Sequence, residues 1–268
     1  MFTNTRVWVR GAGELGSGVA HLLHRVGFSV FASEIYPPLA IRRPVTFSDA
    51  IVEDETEVEA VLARHYQEAT LPTSLPWDHI PVFKDDPDKL KALNPTVLID
   101  ARMLKHYSED FRSWANLMVG LGPGFDTHQN CHRVVETMRG HDLARVIHSG
   151  ASTKDTGVPG VVGGETSRRI VRAPGAGPVS WLVEFGQIVG KGEKIGIINN
   201  SEPVFAPLDG IVRGLISPHT PVTEGMKIGD VDPRGDSVQY LHISEKARAI
   251  ASGVLEAIIL YLRDPDNA

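Results

Sequence analysis

The chain has 268 residues, a formal net charge of −6, 42% hydrophobic and 22% charged residues, and one cysteine. These proportions describe one large or two modest folded domains and exclude extended disorder, a basic nucleic-acid binder and a disulfide framework. No apolar run reaches the ~18 residues of a membrane span, and residues 1–6 do not open a signal peptide, so a cytoplasmic protein without nucleic-acid or membrane partners is expected.

Residues 6–10 read as a short apolar strand. Leu15, Val19, Leu22, Leu23 and Val26 then recur at close to helical spacing, which predicts a helix over residues 15–26 stopped by Gly27. Strands are expected at 28–32, 80–83, 97–101 and 117–121, with a helix at 87–93, while residues 53–76 carry no decisive pattern. This alternation predicts an α/β class with a Rossmann-like, mostly parallel sheet covered by helices over residues 1–163.

The grammar changes at the glycine-rich stretch 157–164, read as a hinge. Residues 171–198 and 204–231 then align without a gap at an offset of 33, with identities at eleven of 28 positions. Each unit is a set of short strands broken by glycines and cannot cover its own apolar face. The pattern resembles the barrel-sandwich fold of lipoyl and biotinyl domains, so residues 164–243 are expected to form a duplicated all-β barrel-sandwich-like module. Val179, Leu182, Val189, Ile195, Val212, Leu215, Val222 and Ile228 are its expected core. Carrier domains place a lysine in the hairpin between their halves, but residues 199–203 read Asn-Asn-Ser-Glu-Pro, so neither biotin nor lipoate is expected. Ser244 is then an N-cap for a C-terminal helix within residues 244–268.

The main chemical signal is Gly11-Ala12-Gly13-Glu14-Leu15-Gly16, placed between a predicted strand and a predicted helix. Gly11 would make the tight turn, Gly13 would let a pyrophosphate approach the backbone, and Gly16 would let helix and strand pack closely. The helix N-terminus adds unpaired N–H groups and partial positive charge. Glu34, 18 residues after Gly16, is placed to accept hydrogen bonds from a ribose. Glu14 puts a carboxylate beside the phosphate path, where it would need a cation or a ligand hydroxyl or amine. Arg42 and Arg43 are a candidate phosphate clamp. Gly122 and Gly124 follow another strand and are a candidate second phosphate turn. Asp100, Glu136 and His141 are candidates for acid–base work. His128, Cys131 and His132 lie close together but lack a fourth ligand, so no metal site is expected.

Seven segments carry a family resemblance: RGAGELGSGVAHLLHRVGF (10–28), IRRPVTFSDAIVE (41–53), IDARM (99–103), VGLGPGF (119–125), CHRVVETMRGHDLARVI (131–147), TGVPG (156–160) and KIGDVDPRGD (227–236). Together they resemble the selenium-dependent molybdenum hydroxylase system proteins, the YqeB-like group. The resemblance implies an accessory protein in the maturation or cofactor handling of molybdenum hydroxylases, with such an enzyme or its maturation factors as partner. The glycine turn would then hold a molybdopterin dinucleotide. Two other classes stay open: an NAD(P)-dependent oxidoreductase, and a non-catalytic scaffold that delivers cofactor to a client enzyme. The sequence also leaves open a homo-oligomer.

Overall fold

The structure, a computed structural model, describes residues 2–67, 74–107, 109–155, 157, 160 and 163–264. Half of the expected hinge (Val158, Pro159, Val161 and Val162) lies outside the described residues. Two compact units form. The first is Met1–Tyr36, Thr46–Thr156 and Ile243–Ala268; the second is Pro37–Val45 and Gly157–His242.

The first unit is built on a nine-stranded sheet. Its strands are β1 (Arg6–Arg10), β2 (Ser29–Glu34), β3 (Glu55–Val58), β4 (Val61–His65), β5 (Ile80–Lys84), β6 (Val97–Asp100), β7 (Leu117–Leu121), β8 (Arg133–Val135) and β9 (Val146–Ile147), in the order β3-β4-β5-β2-β1-β6-β7-β8-β9. The central pairings from β4 to β8 are parallel, whereas β3 and β9 pair antiparallel at the two edges.

Helix α1 (Glu14–Arg25) follows β1, and α4 (Glu245–Arg263) packs on α1 and on β7, β8 and β9; α2 (Ala50–Glu53) and α3 (Pro87–Leu90) are single turns. The two long helices come close at Gly18, where an added Cβ would stand 2.9 Å from the Ala247 Cβ. Ser244 caps α4, its Oγ accepting the Ala247 N–H at 3.2 Å. A core cluster gathers Trp8, Phe31, Phe83, Phe111, Phe125 and Cys131 with their aliphatic neighbours. Trp8 stacks on both Phe31 and Trp114, so large rings rather than further long helices fill this cluster.

The second unit contains two antiparallel sheets. One runs β10 (Ile170–Arg172), β16 (Lys227–Asp232), β15 (Gly210–Leu215), β12 (Ile188–Val189); the other runs β11 (Val179–Trp181), β13 (Lys194–Ile198), β14 (Glu202–Phe205). The repeats exchange partners: β10 of the first pairs with β16 of the second, and β12 of the first with β15 of the second. Neither repeat makes a sheet of its own in the four-stranded layer, which is how each obtains cover for its apolar face. Asn199 and Asn200, both left-handed, join β13 to β14. Of the expected core positions Leu182 is the exception, 55% exposed, while its repeat mate Leu215 is buried.

Buried charge marks this unit. Asp230 pairs with Arg169 and Arg213, and Asp232 with Arg213 and Arg234. Burial pushes the Asp232 carboxyl up, but the Arg234 side chain and amide and the Arg213 guanidinium outweigh it and hold the group far below the usual carboxylate range.

The expected fold class is therefore corrected. The large sheet is mixed rather than Rossmann-like and parallel, because β3 and β9 turn back as antiparallel hairpin edges. Among the described residues only one crossover is a long helix, and the β6-to-β7 connection shows just a 3-10 turn at Arg112–Trp114. The second unit is a four-stranded and a three-stranded antiparallel sheet, and α4 belongs to the first unit.

Candidate functional site

β1 delivers Arg10 to the carboxyl edge of the parallel strands, and the chain reverses at Gly11, with φ +97° and its N–H donating to the Ser33 carbonyl at 2.8 Å. The space around the three glycines differs sharply. A Cβ on Gly16 would fall 1.8 Å from the Gly11 carbonyl oxygen, and one on Gly11 would meet the Ala101–Arg102 backbone at 3.0–3.2 Å. A Cβ on Gly13 would meet nothing within 4 Å. Gly13 is also the N-cap of α1 and makes no side-chain cap hydrogen bond, so the positive end of the helix dipole faces this open space.

Glu34 ends β2 and folds back on this turn. Its Oε2 accepts the Ala12 N–H at 2.9 Å and its Oε1 accepts the Ile35 N–H at 2.8 Å. Burial pushes the carboxyl above its usual value; the two amides oppose this, and the nearby Asp85 reinforces it. The sequence-predicted pair of turn and acid is thus brought together at hydrogen-bond distance.

The neighbouring strand ends carry paired charges. Arg10 reaches Asp85 through Nε and Nη2, at 2.9–3.1 Å, and lies over the Phe111 and Trp114 rings. Ser33 Oγ donates to Asp85 at 2.7 Å and accepts from Trp8 Nε1 at 2.9 Å. Asp100 is fully buried and bound by Arg102, Nη2 to Oδ2 at 2.6 Å. Both carboxylate oxygens are engaged by the Arg102 guanidinium.

Of the other candidates, Glu136 is buried, and its carboxylate accepts three backbone N–H groups, from Thr137 and Met138 at 2.7 Å and Thr153 at 2.8 Å. His141 is exposed on a turn. Arg42 and Arg43 belong to the second unit, where Arg42 is buried and donates to the Tyr240 carbonyl at 3.5 Å and Arg43 lies 5.8 Å over the Phe185 ring. At the second glycine turn a Cβ on Gly122 would meet Thr137 Oγ1 at 2.8 Å, and one on Gly124 the Leu104 Cβ at 2.6 Å, so protein atoms already fill it.

His132 Nδ1 accepts the Met118 N–H at 2.9 Å, and the His128 ring pairs with Ser149 Oγ at 3.2 Å. Among the described residues no group of three His, Cys, Asp or Glu is placed to hold a metal. Burial pushes the Cys131 thiol up to about 12, with Asp126 adding to the shift. Cys131 is therefore expected to ignore a disulfide-exchange reagent at pH 8 until the protein unfolds; stoichiometric modification of native protein would contradict its burial.

Sequence reasoning missed two groups. Lys246, on the first turn of α4, has its ammonium pushed down by burial and by Arg139, while Glu14 and Glu136 oppose the shift. This gives Glu14 a cation within electrostatic reach. A carboxylate–imidazole–phenol chain also forms, with Asp78 Oδ1 to His79 Nδ1 and His79 Nε2 to Tyr66 Oη both at 2.9 Å. Asp78-His79 adjacency was visible in the sequence; the Tyr66 partner and the Lys246 position depend on long-range packing.

No protein-family model matches the chain. It is 41% identical over 258 residues to YqeB, an uncharacterized protein of Escherichia coli strain K12, an alignment covering 96% of this chain and 48% of that protein. Over that length the chain is YqeB-like. It spans about half the length of this relative. Among solved structures, a succinylglutamate desuccinylase/aspartoacylase from Rhodobacter sphaeroides is similar at a TM-score of 0.26 and 15% identity, over 85% of this chain and 84% of that one. An aspartoacylase family protein from Mesorhizobium loti gives 0.25 and 9% over 54% and 60%, and the ectoine utilization protein EutE (DoeB) from Ruegeria pomeroyi 0.23 and 18% over 32% and 27%. Among the described residues no helix is long and apolar enough to cross a membrane.

Proposed function

We propose that the first unit binds a dinucleotide at the turn formed by Gly11, Gly13 and Gly16, and that the chain acts as a cytoplasmic accessory protein in cofactor handling for molybdenum hydroxylases. The observation that carries the binding reading is the open space at Gly13 between two glycines packed against protein. A pyrophosphate there would meet the uncapped N–H groups at the start of α1, with the helix dipole in its favour. Glu34, already on the Ala12 N–H, would meet the adjoining ribose. The link to molybdenum hydroxylases, and to selenium, rests on the resemblance of the seven sequence segments; it makes the ligand a molybdopterin dinucleotide and the partner a hydroxylase or its maturation factors.

Protein purified from its own host tests this reading. Denaturation is expected to release a fluorescent pterin with a dinucleotide mass, and a molybdenum hydroxylase is expected to co-purify. Release of a nicotinamide dinucleotide instead would favour the second reading, an NAD(P)-dependent oxidoreductase, for which Glu34 at the end of β2 is the specific observation. In that case Glu34 would repel a 2′-phosphate, and titration is expected to show NAD binding tighter than NADP; the reverse order would remove Glu34 from the ribose.

A further inference from the structure

A cavity of about 250 Å³ lies within the first unit between α1 and α4, lined by none of Gly11, Gly13, Gly16 and Glu34. Residues 18, 21, 22 and 25 of α1 reach it because they share one helical face. Its polar wall holds His21, Arg25, Arg248 and Glu59, and its apolar wall Leu22, Val26, Ile243 and Ala251. The Glu59 carboxylate is engaged, accepting the Ile243 N–H at 2.7 Å. Among the described residues neither the Arg25 nor the Arg248 guanidinium has an ion-pair partner.

His21 is buried, its Nε2 lying 3.4 Å from the Glu59 carbonyl oxygen. Burial pushes its pKa down; Glu59 opposes the shift, whereas Arg25 and Arg248 add to it, so both guanidinium charges are felt at this imidazole. With His21 neutral, two arginines and one carboxylate leave the cavity with a formal charge of +1.

We propose that this cavity binds a small organic carboxylate with an apolar body. The two arginines supply fork-shaped donors suited to a carboxylate, one negative charge balances the excess, and the aliphatic wall covers the rest of the molecule. The volume falls below the ~300 Å³ at which pockets for drug-sized ligands begin, so the ligand is small.

Benzoate is the probe, with benzyl alcohol as its uncharged counterpart. Histidine-ring NMR of the wild-type chain, at low salt, is expected to show saturable movement of the His21 signals, identified by their loss in His21→Gln. Calorimetry is expected to show binding weakened about tenfold or more in Arg25→Gln/Arg248→Gln. Failure of benzoate to move the His21 signals, equal effects of benzyl alcohol, or full affinity in the double variant would overturn the proposal. Phenyl phosphate binding where benzoate is silent would overturn the carboxylate assignment. The wild-type NMR result stands even if the double variant does not fold. NAD titrated on the same sample reports separately on the glycine turn, so benzoate binding without NAD, or the reverse, shows which of the two readings has failed.

Discussion

Two glycine turns sit at the carboxyl ends of parallel strands in the same sheet, and they are built to opposite ends. After β1, Gly11 and Gly16 are closed by backbone while Gly13 faces open space. At the end of β7 and in the turn that follows, Gly120 is closed by the Phe125 side chain, Gly122 by Thr137 and Gly124 by Leu104. Both read as phosphate cradles in sequence. The difference teaches that a glycine pattern reports close approach of something to the backbone, and the approaching atoms can be the protein's own.

Substitutions separate the two cases. Gly16→Ala is expected to have the largest effect, about 3 kcal/mol of stability by denaturant titration, because its Cβ would meet the rigid Gly11 carbonyl. Gly120→Ala is expected to cost about 2 kcal/mol, since its Cβ would fall 2.1 Å from the Phe125 Cγ and 2.5 Å from its Cβ, a side-chain contact rather than the backbone carbonyl met at Gly16. Gly122→Ala, at φ +83° and against Thr137, is expected to cost about 1–2 kcal/mol. Gly13→Ala is expected to change stability least, by about 0.5–1 kcal/mol, the ordinary preference of an N-cap for glycine over alanine, since its Cβ would meet nothing within 4 Å. A Gly13→Ala cost near that of Gly16→Ala would erase the distinction between an open and a filled position.

Much of the first unit was legible where the signal is local. The β1–α1 junction, the Glu34 position and the Ser244 cap depend on spacing and on nearest-neighbour chemistry, and their residues meet at hydrogen-bond distance. The fold class was not legible, because it depends on the edges. Residues 53–76 carried no decisive period, yet they supply β3 and β4, and the antiparallel turn-back of β3 is half of what makes the sheet mixed. The roles of Asp100 and Glu136 were equally hidden. A carboxylate in sequence looks the same whether it faces a substrate, an arginine or three amides, and here Arg102 and the amides of Thr137, Met138 and Thr153 decide. In the second unit the 33-residue offset was visible, but the exchange of partners between repeats was not, since strand pairing leaves no mark within a single repeat. Leu182 shows the limit: its repeat identity with Leu215 predicts burial, and the two copies differ in exposure.

The central claim is that the open glycine turn is the dinucleotide site, and isothermal calorimetry on wild type and Gly13→Val tests it most directly. With NAD or a molybdopterin dinucleotide as titrant, wild type is expected to bind, and the valine variant, folded by circular dichroism, to lose affinity at least tenfold because its side chain fills the space left for the pyrophosphate. Equal affinity of the two proteins for a dinucleotide that binds would contradict the assignment.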